Sequence, residues 1–325
     1  MIRTIMATTL ALAGTLPAIS AHAAARDRVF VASYGNDSNP CTFGSPCKTF
    51  QQAVNVVAEG GEVTAIDSAG FGPIAISHAV TITSPAGIEA GIVPVAGGDA
   101  IAINAGATDA VVLRGLTING ASGSSGSSGI VFNAGGSLTV SDCVVENFNY
   151  TGVGTDTGNG ILMQPTSSPI SFAITNTVLS NNGYAGIYYS SSLATTPQAT
   201  GAIDHVVATN NYKGIEFFTQ LGGGPTTVAI SNSIANNNAF AGIQIQNGAP
   251  ALTVSIDNTS VNSNGEGVTA SNTPIVTLGR SVITGNNGGI INNTSPNTFY
   301  SYQDNRIDNN GATNILNAPN SLPLH

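Results

Sequence analysis

The 325-residue chain is predicted to be an all-β solenoid, a parallel β-coil with one short helix near its start. Three observations predict it. A Gly-Ile or Gly-Val dipeptide recurs at Gly160-Ile161, Gly186-Ile187, Gly214-Ile215, Gly242-Ile243, Gly267-Val268 and Gly289-Ile290, at successive spacings of 26, 28, 28, 25 and 22 residues. A period in that range marks stacked repeats. Between the dipeptides an apolar-polar alternation closes on asparagines at 173–182, 202–211, 229–238 and 255–264. No repeat holds a ten-residue stretch of helical periodicity, which excludes a helical solenoid.

Aligning the repeats on their asparagines puts Val140, Ile174, Ile203, Ile230, Ile256 and Leu278 in one column followed by polar or small residues, the alternation of a half-buried strand. If each repeat makes one turn, equivalent strands pair in parallel at about 4.8 Å, and ~9 to 10 turns give a rod roughly 45 Å long. Stacked identical turns let asparagine amides bond up and down the rod. Asn181, Asn182, Asn210, Asn211, Asn237, Asn238, Asn264, Asn286, Asn287, Asn309 and Asn310 are the candidates. The glycine before each isoleucine is expected to hold a positive φ, which glycine adopts without steric cost.

In chain order, residues 1–23 read as a secretory signal peptide: Arg3 as the basic region, an apolar run from Met6 to Ala18, and Ala21-His22-Ala23 as the cleavage site. The protein is therefore expected to be secreted or periplasmic, cut near Ala23. No later segment approaches the ~20 apolar residues of a membrane span. Of 8 basic and 17 acidic residues, removal of Arg3 leaves 7 against 17, a net charge of −10 with no basic cluster, so nucleic acid and anionic membranes are not expected partners.

Residues 24–61 are expected to cap the rod. Cys41 and Cys47 sit close enough to close a small disulfide ring in an oxidising compartment. A helix follows over 50–59, started by a Thr49/Gln52 capping box, carrying Phe50, Ala53, Val54 and Val57 on one face, and ended by Gly60-Gly61. Laid across the first coil, it would block the exposed strand edges there. The coils are expected over 62–311, with a tail at 312–325.

Residues 29–40 (Val29-Phe30-Val31-Ala32-Ser33-Tyr34-Gly35-Asn36-Asp37-Ser38-Asn39-Pro40), then Pro46-Cys47-Lys48-Thr49-Phe50-Gln51-Gln52-Ala53 and Gly60-Gly61-Glu62-Val63, resemble the entry segment of the pectin-lyase-like superfamily. The Gly-Ile and Asn-Asn repeats are similar to that superfamily's coils, so the resemblance spans nearly the whole mature chain. It implies a right-handed parallel β-helix. It implies no one activity, since the superfamily includes lyases, hydrolases, epimerases, adhesins and exported proteins of no assigned function.

Loops at 191–201, 219–227 and 246–251 leave one corner of the coil, and insertions at 121–129 and 151–160 leave another. Loops on one solenoid face often line a binding groove, yet these hold almost no charge. The densest reactive side chains lie on adjacent repeats: Tyr184, Tyr188, Asp204, His205, Lys213 and Glu216. Tyr188 and Glu216 share an outward column one turn apart, which with Tyr184 would make a sugar-binding strand surface. Asp204-His205 resembles an Asp-His pair of pectate lyases. His205, however, aligns with Asp142, Asn176, Asn232 and Asn258, the polar turn position of every coil, which favours a turn role.

A β-eliminating lyase needs a cation and a base, and a glycosidase needs two carboxylates at a defined separation. Asp204, Lys213 and Glu216 are the catalytic candidates, and Asp204 could oppose Glu216 only if a corner brings them together. Asp142, Glu146 and Asp156 are the only acidic trio close in sequence for calcium, and no Arg or Lys stands near them in sequence; solvated turn carboxylates are the default reading and no cofactor is expected. Cys143, beside a core column, is expected as a partly buried free thiol. Tyr150, Tyr184, Tyr212 and Phe240 follow successive asparagine turns and are expected to stack on one another as packing. Arg306 is expected to bridge to a carboxylate. Ice binding would need a repeated Thr-x-Thr array, and only Thr81-Ile82-Thr83 fits. The favoured reading is a non-catalytic surface or carbohydrate-associated binding protein, with a polysaccharide or cell-surface glycan as partner. The alternative is a polysaccharide lyase or glycoside hydrolase acting on acidic polysaccharide.

Overall fold

The computed structural model describes residues 26–120, 127–152, 154, 157–166, 169–191, 198–219, 224–247 and 251–323. The expected signal peptide and Asp156 lie outside the described residues. Among the described residues thirty-two strands form three parallel sheets: sheet I with twelve strands, sheets II and III with ten each. Every coil visits them in turn. One runs through Ile170–Thr175 in sheet I, Val178–Ser180 in sheet II and Ala185–Ser191 in sheet III; the next runs through Ala199–Asp204, Val207–Thr209 and Lys213–Thr219. Ten coils at about 4.8 Å correspond to a rod of roughly 45–50 Å.

The aliphatic columns are the core. Val140 pairs with Ile174, and the register continues through Ile203, Ile230 and Ile256 to Leu278, all buried. Sheet III contributes Ile187, Ile215, Ile243, Val268 and Ile290, the residues that follow the repeat glycines.

Two corners close each coil, and both use a single left-handed residue. Between sheets I and II stand Asp142, Asn176, His205, Asn232, Asn258 and Arg280, with φ between 46° and 56°. His205 thus occupies the turn position that its alignment predicts. Between sheets II and III the first residue of each pair is left-handed (Asn181, Asn210, Asn237, Ser263, Gly285, Asn309), as glycine and short polar side chains tolerate. The second, Asn182, Asn211, Asn238, Asn264 or Asn286, is buried. Each donates its backbone N–H and side-chain Nδ2 to the Oδ1 of the ladder asparagine one coil on, at 2.9–3.2 Å from Asn182 to Asn286. Nδ2 also reaches back to the previous coil, as Asn211 does to the Leu179 carbonyl at 3.1 Å. At Asn310 the same two donors go instead to Asn314 Oδ1, both at 3.0 Å.

The repeat glycines differ from expectation. Gly160, Gly186, Gly214, Gly242, Gly267 and Gly289 are not among the positive-φ residues. What excludes a side chain is close approach: a Cβ on Gly186 would stand 2.7 Å from the Gly214 carbonyl oxygen and 3.2 Å from Asn211 Nδ2. The glycine makes room for the ladder.

At the entry, Cys41 and Cys47 are disulfide-bonded. The helix spans Phe50–Val56, three residues shorter than expected; Thr49 caps it by accepting from the Gln52 N–H. It ends because Val57 turns to extended backbone and starts strand Val57–Ala65, and Gly60 (φ +76°) lies inside that strand rather than stopping the helix. Phe50, Ala53 and Val54 are buried, with the Phe50 ring 5.0 Å from Phe71. Gln51 exchanges two hydrogen bonds with the backbone of Ala75, in the outermost strand of sheet III. An amide side chain therefore occupies an open strand edge, as expected of a cap. At the other end residues 312–325, expected as a tail, contribute Thr313–Leu316 to sheet III and Asn320–Leu322 to sheet I. Among the described residues no helix is long and apolar enough to cross a membrane.

Candidate functional site

Strand alternation turns one column of sheet III outward, residue by residue after the repeat dipeptides: Val131, Leu162, Tyr188, Glu216, Gln244, Thr269 and Ile291. Tyr188 and Glu216 are register partners, as the repeat alignment expects. They do not form an open strand surface. Tyr188 is 3% exposed and Glu216 4%, because Tyr188, Tyr184, Leu162, Val131 and Ala185 pack as a small apolar cluster on the outside of the sheet, with Phe218 against it.

Lys213 lies beside Glu216 on the same strand. Its Nζ donates to Glu216 Oε1 at 2.7 Å and to the Tyr184 hydroxyl at 3.1 Å, and stands 4.9 Å from the Tyr184 ring centre and 5.8 Å from that of Phe240. Burial, and then the Glu216 carboxylate, push the Tyr184 phenol far above its ordinary range, so it stays a neutral hydroxyl. Tyr150, Tyr184, Tyr212 and Phe240 stack in succession at 5.3, 6.2 and 5.5 Å. That is the expected mutual packing, but its members differ in access: Tyr184 is buried, whereas Tyr150 and Tyr212 are 38% and 42% exposed.

Asp204 belongs to another network. At the corner between sheets I and II it accepts from Ser231 Oγ at 2.6 Å and Asn232 Nδ2 at 2.7 Å, and meets His205 Nδ1 at 2.6 Å. These bonds, Ser231 first, lower its carboxyl to about 2. Its partners are all of that corner, while Glu216 is held by Lys213 on sheet III, so the corner does not bring the two carboxylates into one group.

The acidic trio is not assembled either. Asp142 pairs with Arg114 at 3.3 Å, a cation that sequence proximity did not reveal, and both line a depression of about 460 Å³ near Ser84 and Ile88. Glu146 accepts from Asn119 Nδ2 at 2.9 Å. Among the described residues no three His, Cys, Asp or Glu side chains converge as metal ligands. Cys143 is fully rather than partly buried; burial pushes its thiol up to about 11, and Sγ lies 3.2 Å from the Ser141 carbonyl. Arg306 pairs with Asp308 at 3.0 Å, as expected.

Sequence reasoning missed Gln244, Thr269 and Glu266. Gln244 and Thr269 continue the Tyr188–Glu216 column, and their signal was present: each follows a repeat dipeptide directly, Gly242-Ile243 and Gly267-Val268. Glu216 Oε2, Gln244 Oε1 and Thr269 Oγ1 are all buried without a hydrogen-bond partner. Glu266, in register two coils on from Lys213, is half-buried, and desolvation raises its carboxyl. The site therefore offers hydrogen-bond acceptors, one committed lysine and a rim of aromatic rings.

A family model described as "Right handed beta helix region" matches residues 128–310. The crystal structure of pectate lyase Pel9A is similar at a TM-score of 0.51 and 16% identity, over 91% of this chain and 74% of that chain. A GH136 lacto-N-biosidase from Eubacterium ramulus is similar at 0.41 and 11%, over 92% and 68%. A rhamnogalacturonan lyase is similar at 0.40 and 15%, over 86% and 74%. At these identities the likeness is one of fold. No curated protein matches the sequence.

Proposed function

The chain belongs to the right-handed β-helix family, and from that premise we propose that it is an exported rod that binds carbohydrate on the outer face of sheet III without turning it over. The observation that carries this reading is the aromatic strip. Four rings on four consecutive coils stack along the rod, two of them open to solvent, beside Lys213, Glu216 and Glu266, the charged side chains of sheet III among the described residues. Apolar ring faces with a few placed polar groups are the ordinary make-up of a small-molecule site. Tyr150 and Tyr212 supply the contact surface in this reading, and Tyr184, Tyr188 and Glu216 support it from below. The fold is one that pectate lyase Pel9A also uses, which makes polysaccharides the first class to try.

A second reading, hydrolysis, has one observation in its favour. Glu266 and Glu216 lie on one outer face in unlike settings, the first raised by burial, the second held against Lys213. Two carboxyls on one sheet, one of them raised, are the raw material of an acid-base pair.

One experiment separates the two. The purified chain is passed over immobilised neutral and acidic polysaccharides, with and without calcium, while reducing ends and unsaturated products are followed. The binding reading expects retention without turnover, lost by at least about tenfold in the Tyr150→Ala/Tyr212→Ala double variant. New reducing ends that vanish in Glu266→Gln would overturn it in favour of hydrolysis.

A further inference from the structure

We propose that Glu216, Gln244 and Thr269 form a subsite for a neutral, hydroxyl-bearing sugar, and that this face rejects uronates; the inference rests on the carbohydrate-binding reading above and names its ligand class.

The first argument is hydrogen bonding. On three consecutive coils the outward column presents Glu216 Oε2, Gln244 Oε1 and Thr269 Oγ1, each shut from solvent and each without a partner. Glu216 and Thr269 are 4% and 5% exposed. A buried acceptor left unpaired costs free energy, and native proteins rarely keep several side by side. The asparagine ladder of the same coils, by contrast, pairs its donors at 2.9–3.2 Å. Two acceptors and one hydroxyl, carried on strands about 4.8 Å apart, call for a ligand rich in donors. Sugar hydroxyls are such donors, and Gln244 is the half-buried member of the three.

The second argument is charge. Lys213, Glu216 and Glu266 are the charged side chains of sheet III, a balance of one cation to two acids. The lysine ammonium is already directed at Glu216 Oε1 and the Tyr184 hydroxyl and is enclosed by two rings. An incoming uronate carboxylate would meet the unpaired Glu216 oxygen with no free cation to offset the repulsion. A neutral sugar meets only acceptors and rings.

The test uses xyloglucan and a neutral galactan against polygalacturonate and alginate, each titrated into the purified chain by calorimetry. The proposal expects the neutral polymers to bind at least about tenfold more tightly. It expects Thr269→Val and Gln244→Leu each to weaken neutral binding by about fivefold or more, with the melting temperature unchanged or raised, because each removes a buried oxygen that has no partner. Equal or tighter uronate binding would overturn the neutral-sugar assignment and leave the carbohydrate reading standing. Neutral binding within about twofold of wild type in both variants would assign the window to trapped water and overturn the proposal. No binding by any of the four polymers would overturn both.

Discussion

The corner between sheets II and III and the outer face of sheet III belong to the same coils, yet they treat buried polar atoms in opposite ways. At the corner, Asn182, Asn211, Asn238, Asn264 and Asn286 repeat one residue type, and each amide donates to the next coil and back to the previous one. On the outer face, Tyr188, Glu216, Gln244 and Thr269 change residue type at every step and leave three oxygens unpaired. A stacked column can satisfy itself only when each rung carries both the donor and the acceptor that its neighbours need. Asparagine does. The ionised Glu216 carries no donor, and Gln244 and Thr269, which could pair by residue type, leave Oε1 and Oγ1 unpaired, so the repeat is broken where stability gains nothing from breaking it.

Removing a rung of the asparagine ladder should destabilise the rod most. Asn211→Ala strips the acceptor from the N–H and Nδ2 of Asn182 and the donor from the Leu179 carbonyl, all buried. Two or three such losses should cost about 5 kcal/mol in chemical denaturation. An exposed Ala substitution on the same rod should cost under about 0.5 kcal/mol.

Next in size is Lys213→Met, which leaves Glu216 buried and uncompensated. It should cost roughly 3–4 kcal/mol, and adding Glu216→Gln should restore most of that, because removing both charges removes the unpaired one. No recovery in the double variant would show that the pair acts through packing of the lysine stem instead.

The smallest effect sharpens the contrast with the corner between sheets I and II. Asp204 has its carboxyl lowered to about 2, chiefly by Ser231, then by Asn232 and His205. A carboxyl lowered on folding stabilises the fold fully above its unfolded value near 4 and loses that contribution as pH falls through about 2. The melting-temperature gap between wild type and Asp204→Asn should therefore be open at pH 6, narrow below about pH 4 and close near pH 2. A gap independent of pH would mean that the aspartate acts by shape alone.

Much of the fold was legible because a solenoid writes its geometry into spacing. The Val140 to Leu278 column, the ladder asparagines and the Thr49 cap follow from alternation and from what each side chain can bond. The repeat glycines were assigned the wrong cause, since crowding from the Asn211 amide and a neighbouring carbonyl depends on the distance between coils, which spacing does not contain. The helix end was misplaced for a related reason: Gly60-Gly61 looks like a stop, but Val57 leaves the helix first to pair beside Arg26. The site was half legible. Lys213, Glu216, Tyr184 and Tyr188 were singled out and do meet, whereas Asp204 was added from nearness in sequence and turned out to serve another corner. Burial of Tyr188 and Glu216 could not be read from an outward column, because it comes from side chains packed over the sheet.

The unvarying column holds the rod together, and the varying one is the proposed ligand face. The most direct test measures stability and neutral-glycan affinity on two variants side by side, Asn211→Ala and Thr269→Val. The account predicts opposite signatures: the first loses stability while its folded fraction keeps wild-type affinity, and the second keeps stability and loses affinity. Two variants that lose stability together, with affinity unchanged in both, would contradict it.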